Sequence, residues 1–195
     1  MDYIKVSEED LLKWLKENLS EERYEHSLGA AECAKELAKD YALDSQKAYI
    51  AGLLHDCAKC FSNEKSMQII NECSLDVLDS EKNNYKTIHA PVSAYIAQKE
   101  FGVCDSEILS AIRWHTLGRV GMSDFEKIIF LADKIEYNTR EFEYAEPIRN
   151  CLSCGKGLDG ALLQCYRQTI KSLVDRDLKI CPLTIEIYNH LNDVK

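Results

Sequence analysis

The sequence has few of the residues that break regular structure: 8 glycines and 3 prolines in 195 residues. So few turn formers do not suit a many-stranded β fold. Long apolar runs are missing too. The longest aliphatic stretches, such as Ile128-Ile129-Phe130-Leu131-Ala132, fall well short of the roughly 18 residues that a membrane span needs. The amino terminus, MDYIKVSEED, has neither the basic start nor the apolar segment of a secretory signal, so a cytoplasmic protein with no membrane partner is expected. Positive charge is also scarce: 24 Lys and Arg against 33 Asp and Glu give a net charge of −9. Nucleic-acid surfaces need clustered positive charge to displace counterions, so no nucleic-acid partner is expected. An anionic ligand would need a small local positive site, such as a metal. Cysteine is the exception to this scarcity, with nine. The odd number and the missing signal point to a reducing compartment and no disulfides. Cys33, Cys57, Cys73, Cys104 and Cys165 fall within helical patterns and read as small buried apolar residues.

What is present reads as one ordinary globular domain over residues 1–195. Its core spans about 20–150, with carboxy-terminal helices packed on it. At 46% hydrophobic and 29% charged residues, the chain sits near the globular average. Capped helices follow one another. Ser7 opens the first, and Ser20 opens one running to about Leu43. Asp44 and Ser45 cap a third through about Lys59, and a weaker helix covers about Asn63 to Cys73. Pro91 suits the first turn of a helix from about Ala90 to Phe101, closed by Gly102. Asp105-Ser106 starts a helix ending near His115. Ser123-Asp124-Phe125-Glu126 forms a capping box for one through about Tyr137. Leu158 to Leu178 is helical after a polar segment, and Thr184 to Tyr188 fits a strand or a short helix. Pro147 and the Gly155–Gly157 pair mark loops. The expected architecture is an all-α bundle of about eight helices.

The placement of histidine and aspartate carries the chemistry. His26 shares a helix face with Ala30, Cys33 and Leu37, an inward apolar stripe, and Arg23 projects from nearly the same face. His55 and Asp56 close an apolar run, and Lys59 lies on the face of both. A buried carboxylate beside a buried imidazole is costly unless a cation lies between them. His115 lies on the apolar face with Ile108 and Ile112. His89 stands at a helix start. Asp133 interrupts Ile129-Phe130-Leu131-Ala132. A single histidine on an apolar face is ordinarily a satisfied core residue, and a single aspartate a cap or half an ion pair. Three inward histidines with two inward aspartates call for a metal instead, and imidazole with carboxylate suits Fe, Mn, Co or Zn. The Cys151-Leu152-Ser153-Cys154 pair has no second pair to complete a zinc site. Lys171, Arg176 and Lys179 read as a solvated face.

The order His26, then His55-Asp56, then Asp133 resembles the H…HD…D signature of HD-domain metal-dependent phosphohydrolases. The words Arg23-Tyr24-Glu25-His26-Ser27, Ala51-Gly52-Leu53-Leu54-His55-Asp56-Cys57-Ala58-Lys59, His89-Ala90-Pro91-Val92, Arg113-Trp114-His115-Thr116-Leu117-Gly118-Arg119 and Ala132-Asp133-Lys134-Ile135-Glu136 resemble the YqeK-like branch, bacterial symmetrical diadenosine tetraphosphate hydrolases. The resemblance runs from about Arg23 to Arg149, with an echo at Ile180-Cys181-Pro182-Leu183-Thr184. It implies that His26, His55, Asp56 and Asp133 hold a divalent metal. Iron is the expected ion; manganese, cobalt, magnesium and zinc are the other candidates, as one ion or two. His89 and His115 would face the substrate phosphates or a second ion. Arg23, Lys59, Thr116, Arg119 and Arg140 would contact the polyphosphate, and Ile180 to Thr184 would line the nucleoside pocket. Catalysis would fall to Asp56, Lys59, His89 and His115. The chain departs from the branch at Tyr137-Asn138-Thr139-Arg140, where a proline and a compact Asn-Arg segment are usual, and at Trp114, where tyrosine is common.

A polyphosphate resists hydroxide because its own charge repels it. A bound metal lowers the pKa of water from 15.7 toward about 7 and neutralises phosphoryl charge. The implied reaction is in-line attack of that activated hydroxide on a β-phosphorus, expelling a nucleoside diphosphate, with Lys59 and an arginine stabilising the developing charge. A close alternative is another HD phosphohydrolase, a 5′-nucleotidase or phosphodiesterase. A more distant one is a non-catalytic helical module that binds nucleotide. A small-molecule nucleotide is the expected partner, and a homodimer is compatible with the sequence.

Overall fold

Six helices begin at a serine or aspartate whose side chain accepts a backbone N–H of the first turn: Ser7, Ser20, Asp44, Ser62, Asp105 and Ser123. Each such cap contributes roughly 1 kcal/mol, and together they divide the chain into helices. The computed structural model describes residues 3–82 and 84–193. Among them run α1 (Glu8–Asn18), α2 (Glu21–Asp40), α3 (Ser45–Leu54), a 3-10 turn (Cys57–Cys60), α4 (Asn63–Glu72) and α5 (Asp79–Lys82). There follow α6 (His89–Lys99), α7 (Ser106–Trp114), α8 (Asp124–Ile135), α9 (Phe142–Ser153), α10 (Gly157–Asp175) and α11 (Pro182–Asp193). The described residues form no strand. The all-α class holds, and the helices beyond the expected eight are α5, α9 and α11.

The central layer is α2 laid against α3 and α8, with α6 and α7 packed on one side and α9, α10 and α11 on the other. A glycine allows the closest approach. A Cβ at Gly52 would lie 2.6 Å from the Ala31 Cα, so α3 meets the backbone of α2 directly. The core is continuous aliphatic packing: Leu53, Leu54, Ile108, Ile112, Ile128 and Leu131 are all fully buried. No helix of the described chain is long and apolar enough to cross a membrane.

Three local expectations are corrected. The third helix does not run to Lys59: it ends at Leu54, and Asp56 (φ −107°, ψ 11°) leads into the 3-10 turn. The break turns the His55 ring back so that Nδ1–H donates to the Gly52 carbonyl at 2.6 Å. Pro147 does not mark a loop but lies inside α9. Proline forfeits the hydrogen bond to the Glu143 carbonyl, on an exposed residue, while burial of Ala145, Ile148 and Cys151 at helical spacing holds the helix together. Cys73 and Cys104 are exposed, not buried; Cys33, Cys57 and Cys165 are buried as expected.

Candidate active site

Five parts of the fold each deliver one or two polar side chains to a single point. Toward its start, α2 supplies Arg23 and His26; the break after α3 supplies His55 and Asp56; α6 begins with His89; His115 follows the end of α7; and α8 supplies Asp133 near its last turn. All four histidines and both aspartates are at least nine-tenths buried. Three overlapping triplets have ligand atoms within 4.8 Å of one another: His26–His55–Asp56, His55–His115–Asp133 and Asp56–His89–His115. The group is elongated. At one end His89 Nε2 and His115 Nε2 lie 3.0 and 3.4 Å from Asp56 Oδ1. At the other, His26 Nε2 lies 3.0 Å from Asp133 Oδ1, which Arg140 Nη2 also reaches at 2.5 Å. His55 lies between, 3.8 Å from Asp56 and 3.7 Å from Asp133.

The protonation pattern tests whether a cation fits. His55 and His115 give their Nδ1 protons to the carbonyls of Gly52 and Ile112, which leaves each Nε2 a lone pair aimed at carboxylate oxygens. Burial, only partly opposed by the hydrogen bond to Asp56, pushes the His115 pKa down to about 4. Burial raises the Asp56 carboxyl, but the surrounding His55, His115 and His89 hold it well below the usual carboxylate range. The Nε2 lone pairs of His55 and His115 therefore face the ionised Asp56 as acceptor to acceptor, the arrangement that a divalent cation satisfies. His26 differs. Burial lowers its pKa, but hydrogen bonds to Asp133 and Glu136 more than offset this and raise it. Cation binding at Nε2 would release that proton.

Glu136 is a site residue that sequence reasoning missed. Its fully buried carboxylate lies 3.1 Å from His26 Nδ1 and accepts the backbone N–H groups of Asn138 (2.5 Å) and Thr139 (3.1 Å), and the Thr139 hydroxyl. Burial opposes its ionisation, but these bonds together hold its pKa at about 2. Gly29 makes room for it: a Cβ there would stand 2.4 Å from Glu136 Oε2. Glu136 stands just past the carboxy-terminal end of α8, where an acid opposes the helix dipole, and its place in the same word as Asp133 was the signal that could have found it.

A cavity of about 500 Å³ opens onto the cluster. Of the expected residues, Arg23, His26, Asp56, Lys59, His89, His115, Thr116, Asp133 and Arg140 line it, joined by Glu22, Lys86, Lys134, Thr139 and Tyr144. Five cations around one cavity, in a chain of net charge −9, make it the local positive site that an anion requires. Arg23 and Lys59 lie 3.7 and 3.8 Å from Asp56 Oδ2. Burial lowers the Lys59 pKa despite Asp56. His55 lies behind the wall, fully buried. Arg119 does not line this cavity. Its guanidinium forks onto the buried Glu126 at 3.0 and 2.8 Å and borders a separate cavity of about 440 Å³ beside α10. Nor does Ile180 to Thr184 line the cluster's cavity; Cys181 Sγ instead lies 3.4 Å from Ser80 Oγ.

Between α4 and α6 the chain is tied down by a buried ion pair. Arg113 donates to both oxygens of Glu81 at 2.8 and 2.6 Å and to the Asp76 carbonyl at 3.3 Å. Its guanidinium stacks 4.2 Å over the Trp114 ring. The pair fixes the segment that carries Lys86 and His89 against the helix that leads to His115.

Comparison with known proteins places this geometry. The HD domain model matches residues 23–138. Symmetrical bis(5′-nucleosyl)-tetraphosphatase from Halalkalibacterium halodurans is 40% identical over 92% of this chain and 94% of its own length. The enzyme of that name from Bacillus subtilis is 39% identical over 95% and 98%. The crystal structure of a predicted HD superfamily hydrolase involved in NAD metabolism, from Clostridium acetobutylicum, superposes with a TM-score of 0.91. It is 38% identical and covers 97% of this chain and 99% of its own.

Proposed function

The chain belongs to the HD-domain family, and on that premise we propose that it hydrolyses diadenosine tetraphosphate symmetrically to two molecules of ADP. The observation that carries this reading is the convergence of four imidazoles and two carboxylates from separate elements on a cation-lined cavity. It is joined by close likeness to enzymes of that name along nearly their whole length. His26, His55, Asp56 and Asp133 would hold a divalent metal, for which we propose iron, with His89 and His115 facing phosphate or a second ion. When bound there, such an ion supplies a nucleophilic oxygen at neutral pH and neutralises phosphoryl charge.

The chain's own residues do the rest. Arg23, Lys59, Lys134 and Arg140 draw the polyphosphate into the cavity and offset its charge. Thr116 Oγ lies 3.1 Å from His115 Nε2, so its hydroxyl can serve a phosphoryl oxygen beside the histidines. Glu136 fixes the His26 ring through Nδ1. The Lys59 ammonium, 3.8 Å from Asp56, would offset the negative charge that grows on the departing ADP. That leaving group is already acidic, so no strong general acid is needed. Nine free cysteines fit a reducing cytoplasm, and the acidic surface fits a small nucleotide substrate better than a nucleic acid. The test pairs metal quantification on protein purified without chelator with product identification. Diadenosine tetraphosphate should yield ADP alone. Phosphate release from nucleoside monophosphates with no ADP formed would favour a 5′-nucleotidase, and metal-free inactive protein a binding module.

A further inference from the structure

The cavity beside α10, of about 440 Å³, shares no lining residue with the one at the histidine and aspartate cluster. Lys156, Gly160, Leu163, Gln164 and Arg167 all border it. Spacings of three and four residues put them on one face, so the cavity follows α10 and the residue before it for three turns. That is about 16 Å of helix, and the volume spread over it leaves a cross-section of about 27 Å². The space is a channel, too narrow to take another helix, which is about 10 Å across. Its floor is apolar: Met122, Leu162, Leu163 and Ile187 are buried, and the half-buried Leu191 borders it from α11. Among the described residues no phenylalanine, tyrosine or tryptophan lines it, so it offers no stacking surface to a flat ring.

The charges along its walls do not cancel. Among the described residues Asp159 is the one acid of the lining, and Lys127 already holds that carboxylate at 2.8 Å. Arg119 is committed to Glu126. The side chains of Lys156 and Arg167 form no ion pair among the described residues, which leaves two cations without a counter-charge. Their surroundings differ. Asp159 stands one turn from Lys156, whereas Arg167 lies two turns farther along α10 with no acid in its stretch of wall. An anion is therefore better received at the Arg167 end, where a forked guanidinium matches a carboxylate or a phosphate.

We infer that this channel is a second ligand site, for an unbranched aliphatic chain ending in a carboxylate or a phosphate. The head lies on Arg167 and the tail runs along α10 toward Gly160. The inference goes beyond the hydrolase reading and does not depend on it, because no residue of the metal cluster takes part. The test is calorimetric titration of the full chain, purified without chelator, with decanoate and with decyl phosphate below their micelle concentrations. The tighter of the two names the head group, and binding of neither overturns the site. Shortening the tail by two methylenes should weaken binding by about tenfold. Decanol, with the tail and no charge, should bind about tenfold or more weakly. Arg167→Met should lose about as much. Leu191→Asp, which sets a carboxylate on the apolar wall, should abolish binding at an unchanged far-ultraviolet circular dichroism spectrum. Arg140→Met, in the other cavity, should change nothing. Affinity that survives Arg167→Met, that ignores tail length, or that falls in Arg140→Met or in the presence of tripolyphosphate places the anion elsewhere and overturns the inference.

Discussion

His115 Nε2 and Asp56 Oδ1 lie 3.4 Å apart with no proton between them. The imidazole has given its Nδ1 proton to Ile112, burial keeps the ring neutral, and its neighbours keep Asp56 ionised. Two acceptors in that position repel one another unless a cation is shared.

Asp56 faces His89 and His115 through one oxygen and Arg23, His26, His55 and Lys59 through the other. Replacing it with alanine removes the one carboxylate common to both ends. Asp56→Ala should lose metal and turnover together, with the rate falling by about a thousandfold or more. Elemental analysis beside the ADP assay checks this, and an active, metal-free variant would contradict it.

Glu136 acts at one remove, by fixing the tautomer and direction of His26. Removing such a partner typically weakens metal affinity by about 10- to 100-fold. Glu136→Gln should therefore need a correspondingly higher free metal concentration for half activity in a chelator-buffered titration, with much of kcat recovered at saturation. An unchanged titration midpoint would show that Glu136 does nothing for the metal.

Two of the three arginines expected to bind polyphosphate should separate. Arg140→Met should raise KM for diadenosine tetraphosphate by about tenfold or more, as loss of a charge-assisted contact does. Arg119→Met should leave KM unchanged and lower stability by about 1–3 kcal/mol. It strips a partner from the buried Glu126, which keeps only Ser110 and the Ser123 N–H. A raised KM in Arg119→Met would return that residue to the substrate.

Glu81 is 1% exposed, so taking away Arg113 leaves a buried carboxylate with, among the described residues, only the Leu78 N–H. Arg113→Met should cost about 3–5 kcal/mol, and Glu81→Leu/Arg113→Met should recover part of that loss because no charge is stranded. Urea denaturation of the three proteins checks the order; a double variant weaker than the single would reverse it.

Much of the site was legible because histidine and aspartate on apolar helix faces are costly without a partner. His26 among Ala30 and Cys33, and Asp133 within its aliphatic run, announce themselves by contrast. Glu136 does not, since it stands past the aliphatic run that Asp133 interrupts. Nor does the break at His55, which follows five residues of unbroken apolar pattern and lets the ring turn back to Gly52. Helix α9 was hidden by Pro147, although its buried residues kept helical spacing. The direction of long side chains is settled by tertiary partners: Glu126 takes Arg119 away from the cavity, while Asp133 holds Arg140 within it.

Away from the site, Lys47 ties α3 to the start of α7, with its ammonium 2.8 Å from Asp105 and 2.5 Å from Glu107. Burial would raise the Asp105 pKa, but the bond to Lys47 and the capped N–H groups of Ile108 and Glu107 outweigh it and lower the pKa. A carboxyl lowered on folding stabilises the native state fully above its unfolded value, about 3.9, and loses that contribution as pH falls through the folded value. The Lys47 pKa is raised, burial being outweighed by the same two acids, so it stays charged throughout the acid range. Asp105→Asn should therefore lower Tm relative to the parent at pH 6, and the gap should close as the pH is brought below about 3.9. A gap that stays constant from pH 6 to pH 3 would mean that the cap works through its hydrogen bonds alone, with no contribution from its charge.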